Sequence, residues 1–123
     1  MIKKKSAKIL LVDDDKDMCE SLADVLTVDT NYTVSFTTKA AKALEMAKNE
    51  DFDLIIIDYK MPEINGVDLL KSIKEIKPDS TIFILTAFIS NELIAEAKKE
   101  GAKKVLSKFI WPDEIIKYIR EVV

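Results

Sequence analysis

Ile9-Leu10-Leu11-Val12-Asp13-Asp14-Asp15 and Leu54-Ile55-Ile56-Ile57-Asp58 are the stretches on which the fold turns. Each begins with four aliphatic residues, too short a run for a helix and apolar at every position. That is the pattern of a strand buried on both faces. Each run then stops at carboxylates. Strands of this kind belong to parallel sheets, so both acidic ends reach the same edge. In open α/β sheets that carboxyl edge is where ligands bind. Carboxylates gathered there repel one another and resist ionising unless a cation joins them. A hard divalent ion that takes oxygen ligands, such as Mg²⁺, meets that need.

The flanking sequence alternates strand and helix. After the first run, Met18, Leu22, Val25 and Leu26 recur at helical spacing, with Asp15 or Asp17 as N-cap. Tyr32 to Phe36 alternates and is β-branched, which predicts a second, more exposed strand. Ala40, Ala43, Leu44 and Ala47 form the next helical stripe, capped by Thr37 or Thr38. Leu54 to Asp58 is the third strand, and the Pro62 and Asn65-Gly66 that follow mark a loop. Val67, Leu69, Leu70, Ile73 and Ile76 give a third helix that Pro78 ends. Thr81 to Leu85 is a fourth strand. Leu93, Ile94 and Ala97 lie on a short helix that stops at Gly101, a C′ glycine. Val105-Leu106 makes the last strand, and a closing helix starts near Pro112 and carries Ile115, Ile116, Ile119 and Val122. Five strand–helix units predict a parallel sheet covered on both faces, with right-handed crossovers.

Composition narrows the function. One domain over residues 1–123 is expected, with residues 1–6, including Lys3, Lys4 and Lys5, as a flexible basic tail. Charged residues make up 33% of the chain and leave a net charge of −3, against a direct nucleic-acid binder. There is no histidine, which removes Ser-His-Asp and Cys-His chemistry and imidazole-bound zinc. The single cysteine, Cys19, excludes an internal disulfide and fits a reducing compartment. No apolar stretch approaches the roughly 20 residues of a membrane span. A cytoplasmic protein without membrane contacts is expected.

Asp13, Asp14, Asp58, Thr86 and Lys108 fall at the carboxyl ends of strands one, three, four and five. Acidic oxygens for a metal, an ammonium and a hydroxyl together suit a ligand with several anionic oxygens, phosphoryl above all. A carboxylate can itself accept that group. Asp15 and Asp17 read better as turn and cap residues.

At these residues the chain resembles response-regulator receiver domains over essentially its whole length. The matching pieces are Leu11 to Asp15, Leu54 to Gly66, Ile84-Leu85-Thr86-Ala87, Gly101-Ala102 and Ser107-Lys108. The resemblance implies an α/β, flavodoxin-like (βα)5 doubly wound sheet with strand order 2-1-3-4-5. It implies that Asp58 is the phosphoacceptor, supplied by a histidine kinase or phosphotransfer protein. Mg²⁺ would be held by Asp14, by Asp13 chiefly through water, by Asp58 and by the backbone carbonyl of Lys60. Thr86 and Lys108 would hold phosphoryl oxygens, with Thr86 moving towards them as the switch. The implied role is a signalling switch coupled to an output domain or target protein, and no turnover enzyme. Two positions depart from the pattern: Phe109 follows Lys108 where relatives place proline, and Val105 stands where they often have an aromatic.

Lys60 and Phe88, each two residues past a site residue, are expected to shield an acyl phosphate from water. Phe88, Ile89, Phe109, Ile110 and Trp111 cluster in loops near one face, which is expected to serve as a partner or homodimer surface. Two rival functions stand beside this reading. A phosphatase using Asp13 and Asp15 lacks the expected residues at Lys16-Asp17 and has no room for a cap domain. A degenerate receiver would act as a phosphorylation-independent interaction module. A P-loop switch is excluded, because the only glycines are Gly66 and Gly101.

Overall fold

The computed structural model describes residues 6–28 and 30–123. The basic run Lys3-Lys4-Lys5 lies outside the described residues. Strands and helices alternate as β1 (Lys8–Val12), α1 (Lys16–Thr27), β2 (Thr33–Thr37), α2 (Ala40–Asn49) and β3 (Leu54–Asp58). The second half continues as α3 (Gly66–Ile76), β4 (Ile82–Thr86), α4 (Asn91–Lys99), β5 (Lys104–Ser107) and α5 (Pro112–Arg120). All strands are parallel, in the order β2-β1-β3-β4-β5. This is the expected doubly wound arrangement.

The continuous apolar runs have a simple cause. Alternate residues of each strand point to opposite faces, and both faces are covered. Leu10, Val12, Ile55, Ile57, Ile82 and Ile84 pack with Ala43, Ala47, Leu70, Ile73, Leu93 and Ala97 from α2, α3 and α4. Ile9, Leu11, Leu54, Ile56, Phe83 and Leu85 pack with Leu26, Ile115 and Ile119 from α1 and α5. Every residue of β3 and β4 is buried, whereas β2, at the sheet edge, is mostly half-exposed.

Helix ends follow local chemistry. Asp15, not Asp17, caps α1, its carboxylate accepting from the Asp17 and Met18 N–H groups at 3.0 and 3.2 Å. Asn65 caps α3 and Ser90 caps α4 in the same way. Gly101 takes φ +114° after α4, with its N–H on the Lys98 carbonyl and the Ala102 N–H on the Ala97 carbonyl. Those two bonds form a Schellman stop, for which glycine is the favoured residue.

Five sequence expectations need correction. The first concerns α5, which ends at Arg120 and leaves Val122 in the turn beyond the helix. Neither Thr37 nor Thr38 caps α2: Lys39 holds that position without a side-chain bond, and the Thr37 hydroxyl accepts from the Lys39 N–H instead. β2 begins at Thr33 rather than Tyr32, because the Tyr32 N–H is taken by the Thr30 hydroxyl. β4 runs one residue later than expected, so Thr86 is inside the strand, paired with Ser107. β5 is longer than Val105-Leu106, its ladder with β4 extending from Lys104 to Ser107.

Candidate phosphoryl and metal site

Register brings the site together. β1 and β3 pair Val12 with Ile57, so Asp13 and Asp58 leave the sheet side by side. The Tyr59 N–H donates to the Leu85 carbonyl and the Lys108 N–H donates to the Thr86 carbonyl, which carries the ladder beyond β3 and β5. A cleft of about 520 Å³ opens there, lined by Asp13, Asp14, Asp58, Lys60, Met61, Thr86, Phe88 and Lys108 among others. All five residues picked out at strand ends line it, with Lys60 at its wall.

Asp58 is the most buried of them, at 4% exposure, beside buried Asp13 and Thr86. The Lys108 ammonium lies 3.0 Å from Asp13 Oδ2 and 3.3 Å from Asp58 Oδ1, bridging the two carboxylates. The other Asp13 oxygen accepts the Asp15 N–H at 3.0 Å. Asp14 is exposed at the mouth. Ligand oxygens of Asp13, Asp14 and Asp58 lie within 4.8 Å of one another. A three-carboxylate set of hard oxygens fits a divalent ion such as Mg²⁺.

The electrostatics agree with that fit. Burial, reinforced by the Asp13 charge, raises the Asp58 carboxyl to about 6 against the pull of Lys108. Lys108 is raised: burial works against its charge, but Asp13 and Asp58 more than offset it. Lys108 pairs with two of the three acids and, among the described residues, leaves Asp14 without an ion pair, so the donor set suits a divalent cation. Cys19, whose thiol donates to the Asp13 carbonyl at 3.4 Å, is pushed up to about 11 by burial and by Asp13. It stays a neutral thiol and is no nucleophile.

Thr86 turns its hydroxyl into its own loop, accepting the Phe88 N–H at 3.2 Å and reaching the Phe88 carbonyl at 3.4 Å. No cis peptide bond occurs among the described residues, and the Phe109 N–H donates to the Ser107 hydroxyl. Val105 is half-buried against the core on the α4 side. Asp15 caps α1 through one carboxylate oxygen and stands exposed at the edge of the same cleft.

Gly66, which the sequence placed in the loop after β3 and in the stretch shared with the family, opens α3 and packs against the backbone of Asp58. A Cβ there would stand 2.6 Å from the Asp58 carbonyl oxygen and 2.9 Å from the Tyr59 Cα. Its N–H donates to the Tyr59 carbonyl at 2.7 Å, which seats α3 directly under the end of β3. The Asn-Gly pair carried that signal, since glycine is the residue of close backbone approach.

Large apolar side chains stand exposed in the segments that follow Thr86 and Lys108: Phe88, which lines the cleft, at 82%, Ile89 at 46%, Phe109 at 78% and Trp111 at 76%. Ile110 instead packs on the core beneath α5. Beside Lys108 a smaller groove of about 170 Å³ runs between α1 and α5, lined by Met18, Leu22, Val25, Ile110 and Pro112 among others.

The chain is similar to known proteins in sequence and fold. Chemotaxis protein CheY of Thermotoga maritima is 30% identical over 115 residues, 94% of this chain and 96% of that protein. Transcriptional regulatory protein ZraR of Escherichia coli is 38% identical over 100 residues, 81% of this chain but only 22% of that protein. A Burkholderia pseudomallei response regulator, solved with a phosphorylated aspartic acid, a calcium ion and citrate, superposes with a TM-score of 0.82. The two are 27% identical, over 89% of this chain and 64% of that one. The response regulator receiver domain family matches residues 9–120, which include every strand-end residue of the cleft. With that match, the strand order and the acidic pocket in agreement, the chain belongs to the response regulator receiver domain family.

Proposed function

We propose that residues 1–123 act as a phosphorylation-controlled switch in two-component signalling, with Asp58 as the phosphoacceptor. The observation that carries this reading is the buried Asp58 carboxylate held beside Asp13 under a bridging Lys108. The donor is a histidine kinase or phosphotransfer protein. An Asp58 oxygen attacks the phosphorus of the donor's phosphohistidine; the O–P bond forms, the P–N bond breaks and the imidazole leaves with a proton. Asp58 is mostly ionised near neutral pH despite its raised pKa, so the nucleophile is available.

Asp13, Asp14, Asp58 and the Lys60 backbone carbonyl would hold Mg²⁺, which supplies charge neutralisation for the phosphoryl oxygens. Lys108 lies within reach of the same oxygens and stabilises charge that develops on them. Thr86 exchanges its Phe88 contacts for a phosphoryl oxygen, and the 86–88 loop changes shape as it does so. Phe88, Ile89 and Trp111 lie on or near that loop's face. This supports a phosphorylation-sensitive surface for an output domain, a target protein or a second copy. The groove between α1 and α5, which ends at Lys108, suits a donor that must reach the cleft. Such a switch turns over no external substrate, binds no nucleic acid or membrane directly, and works in the cytoplasm. Among the described residues no helix is long and apolar enough to cross a membrane.

Intact mass after incubation with acetyl phosphate tests the reading. One Mg²⁺-dependent phosphoryl adduct, absent in Asp58→Asn, is the expected result. No adduct on folded protein would favour a phosphorylation-independent interaction module.

A further inference from the structure

The open sheet has two edge strands, β2 and β5. An edge strand presents unpaired N–H and C=O groups that can recruit another strand, and lysine on or beside it is a common deterrent. β5 has that protection: Lys103 precedes it, Lys104 opens it and Lys108 follows it. β2 has none. From Thr30 to Thr38 no residue is charged, in a chain of which 33% is charged. The strand itself, Thr33-Val34-Ser35-Phe36-Thr37, is β-branched and aromatic, with Thr33 exposed and Val34, Ser35 and Phe36 half-exposed.

Backbone hydrogen-bonding groups alternate in direction along a strand, so pairing on one side fixes what faces the other. The Thr33 N–H donates to the Ala7 carbonyl, and the Thr37 carbonyl accepts the Asp13 N–H. Thr33, Ser35 and Thr37 therefore serve β1, while Val34 and Phe36 aim their N–H and C=O groups outward. Their side chains pack with the core on the α1 side of the sheet. The Tyr32 N–H is taken by the Thr30 hydroxyl, so the row of open donors begins at Val34.

We propose that the β2 edge pairs with β2 of a second copy, antiparallel and centred on Ser35, joining the two five-stranded sheets into one. In that register Val34 faces Phe36 of the second copy on both sides of the axis. All four outward-facing donors and acceptors of each strand are then used, and aromatic residues face β-branched ones, a favourable cross-strand pair. Ser35 meets its own copy as a non-hydrogen-bonded pair. Charge selects the same occupant: over residues 31–39 no charge meets a like charge, because Lys39 faces Asn31 of the second copy. A strand from another protein would bring a new open edge, whereas two-fold pairing closes the assembly and leaves only the two lysine-bearing β5 edges outside. Two five-residue strands bury less than the roughly 1,200 Å² of a stable complex, so the association is weak and concentration-dependent. β1 separates β2 from β3, so the pairing leaves the Asp58 cleft open and does not rest on its phosphorylation.

Sedimentation velocity over a range of concentrations reads the association on the whole chain. The weight-average sedimentation coefficient of the wild type is expected to rise with concentration, equally in Asp58→Asn and with beryllofluoride and Mg²⁺ present. Ser35→Lys sets two ammonium groups against each other on the axis and is expected to remain a folded monomer. Mild oxidation reads the register. Ser35→Cys is expected to give a disulfide-linked dimer, because the Cβ atoms of a facing non-hydrogen-bonded pair are about 4.5 Å apart. Thr33→Cys, ~13 Å from its own copy in this register, is expected to give at least tenfold less. Cys19 is buried and stays out of the reaction. A wild type that is monomeric at every concentration would overturn the proposal. So would a dimer that survives Ser35→Lys, cross-linking equal at the two positions, or dimerisation only with beryllofluoride.

Discussion

Replacing Asp58 with asparagine should stabilise the protein in a pH-dependent way when no divalent ion is present. The Asp58 carboxyl titrates at about 6 in the folded state, against 3.8 for an unperturbed carboxyl. A group whose folded pKa is raised contributes stability that is fully present below its unfolded pKa. That contribution is lost as pH rises through the folded value. Wild-type protein therefore loses stability between about pH 4 and pH 7 relative to a variant with no charge to bury. Two pKa units correspond to about 3 kcal/mol. The cleft opens to solvent at its mouth, and screening there reduces the expected gain to about 1–2 kcal/mol. Urea denaturation in EDTA at pH 4, 5, 6, 7 and 8 measures it, since shared titrations cancel in the difference between variant and wild type. The gap should widen from pH 4 to pH 7 and then level off. A gap constant across the range, or one that narrows as pH rises, would refute the assignment of Asp58 as a buried, strained carboxylate.

Lys108→Met removes the one cation that bridges Asp13 and Asp58, so it should act oppositely to Asp58→Asn and destabilise the metal-free protein by about 1–3 kcal/mol; urea midpoints decide the sign. Gly66→Ala forces a methyl group against the Asp58 carbonyl and should cost about 1–3 kcal/mol while weakening Mg²⁺ binding; thermal melts and a Mg²⁺ titration read both effects. The Lys60→Ala/Phe88→Ala double variant should shorten the lifetime of the phosphorylated protein by opening the cleft to water, and an unchanged half-life would remove both residues from that role. Trp111→Asp should abolish any self-association that beryllofluoride induces, as read by sedimentation velocity. Sedimentation identical with and without beryllofluoride at high protein concentration would exclude a homodimer on this face.

β3 was legible from end to end, because an unbroken aliphatic run bounded by Asp58 has one reading in an alternating chain. The stop of α4 at Gly101 was equally clear, since the left-handed position there selects glycine. Strand ends that depend on pairing were less visible: Thr86 and Lys104 join the sheet only because β4 and β5 face each other in register. The α2 cap was misread because a threonine hydroxyl can close a local turn as readily as cap a helix, and Thr37 does the former. For the site, residue types and their places at strand ends were legible. Their convergence on one edge was legible from the strict alternation of strand and helix, whereas the order that sets β1 beside β3 came from the family resemblance, because periodicity does not encode strand order. The tight seat of Gly66 under Asp58 is a long-range fact of the same kind.

The central claim is that Asp58 carries the phosphoryl group. Protein incubated with acetyl phosphate and Mg²⁺ can be reduced with borohydride, which converts an aspartyl phosphate to homoserine, and then mapped by peptide mass spectrometry. Homoserine at position 58 and at no other aspartate is the predicted result. Homoserine at Asp13 or Asp14, or none in folded Mg²⁺-loaded protein, would contradict it.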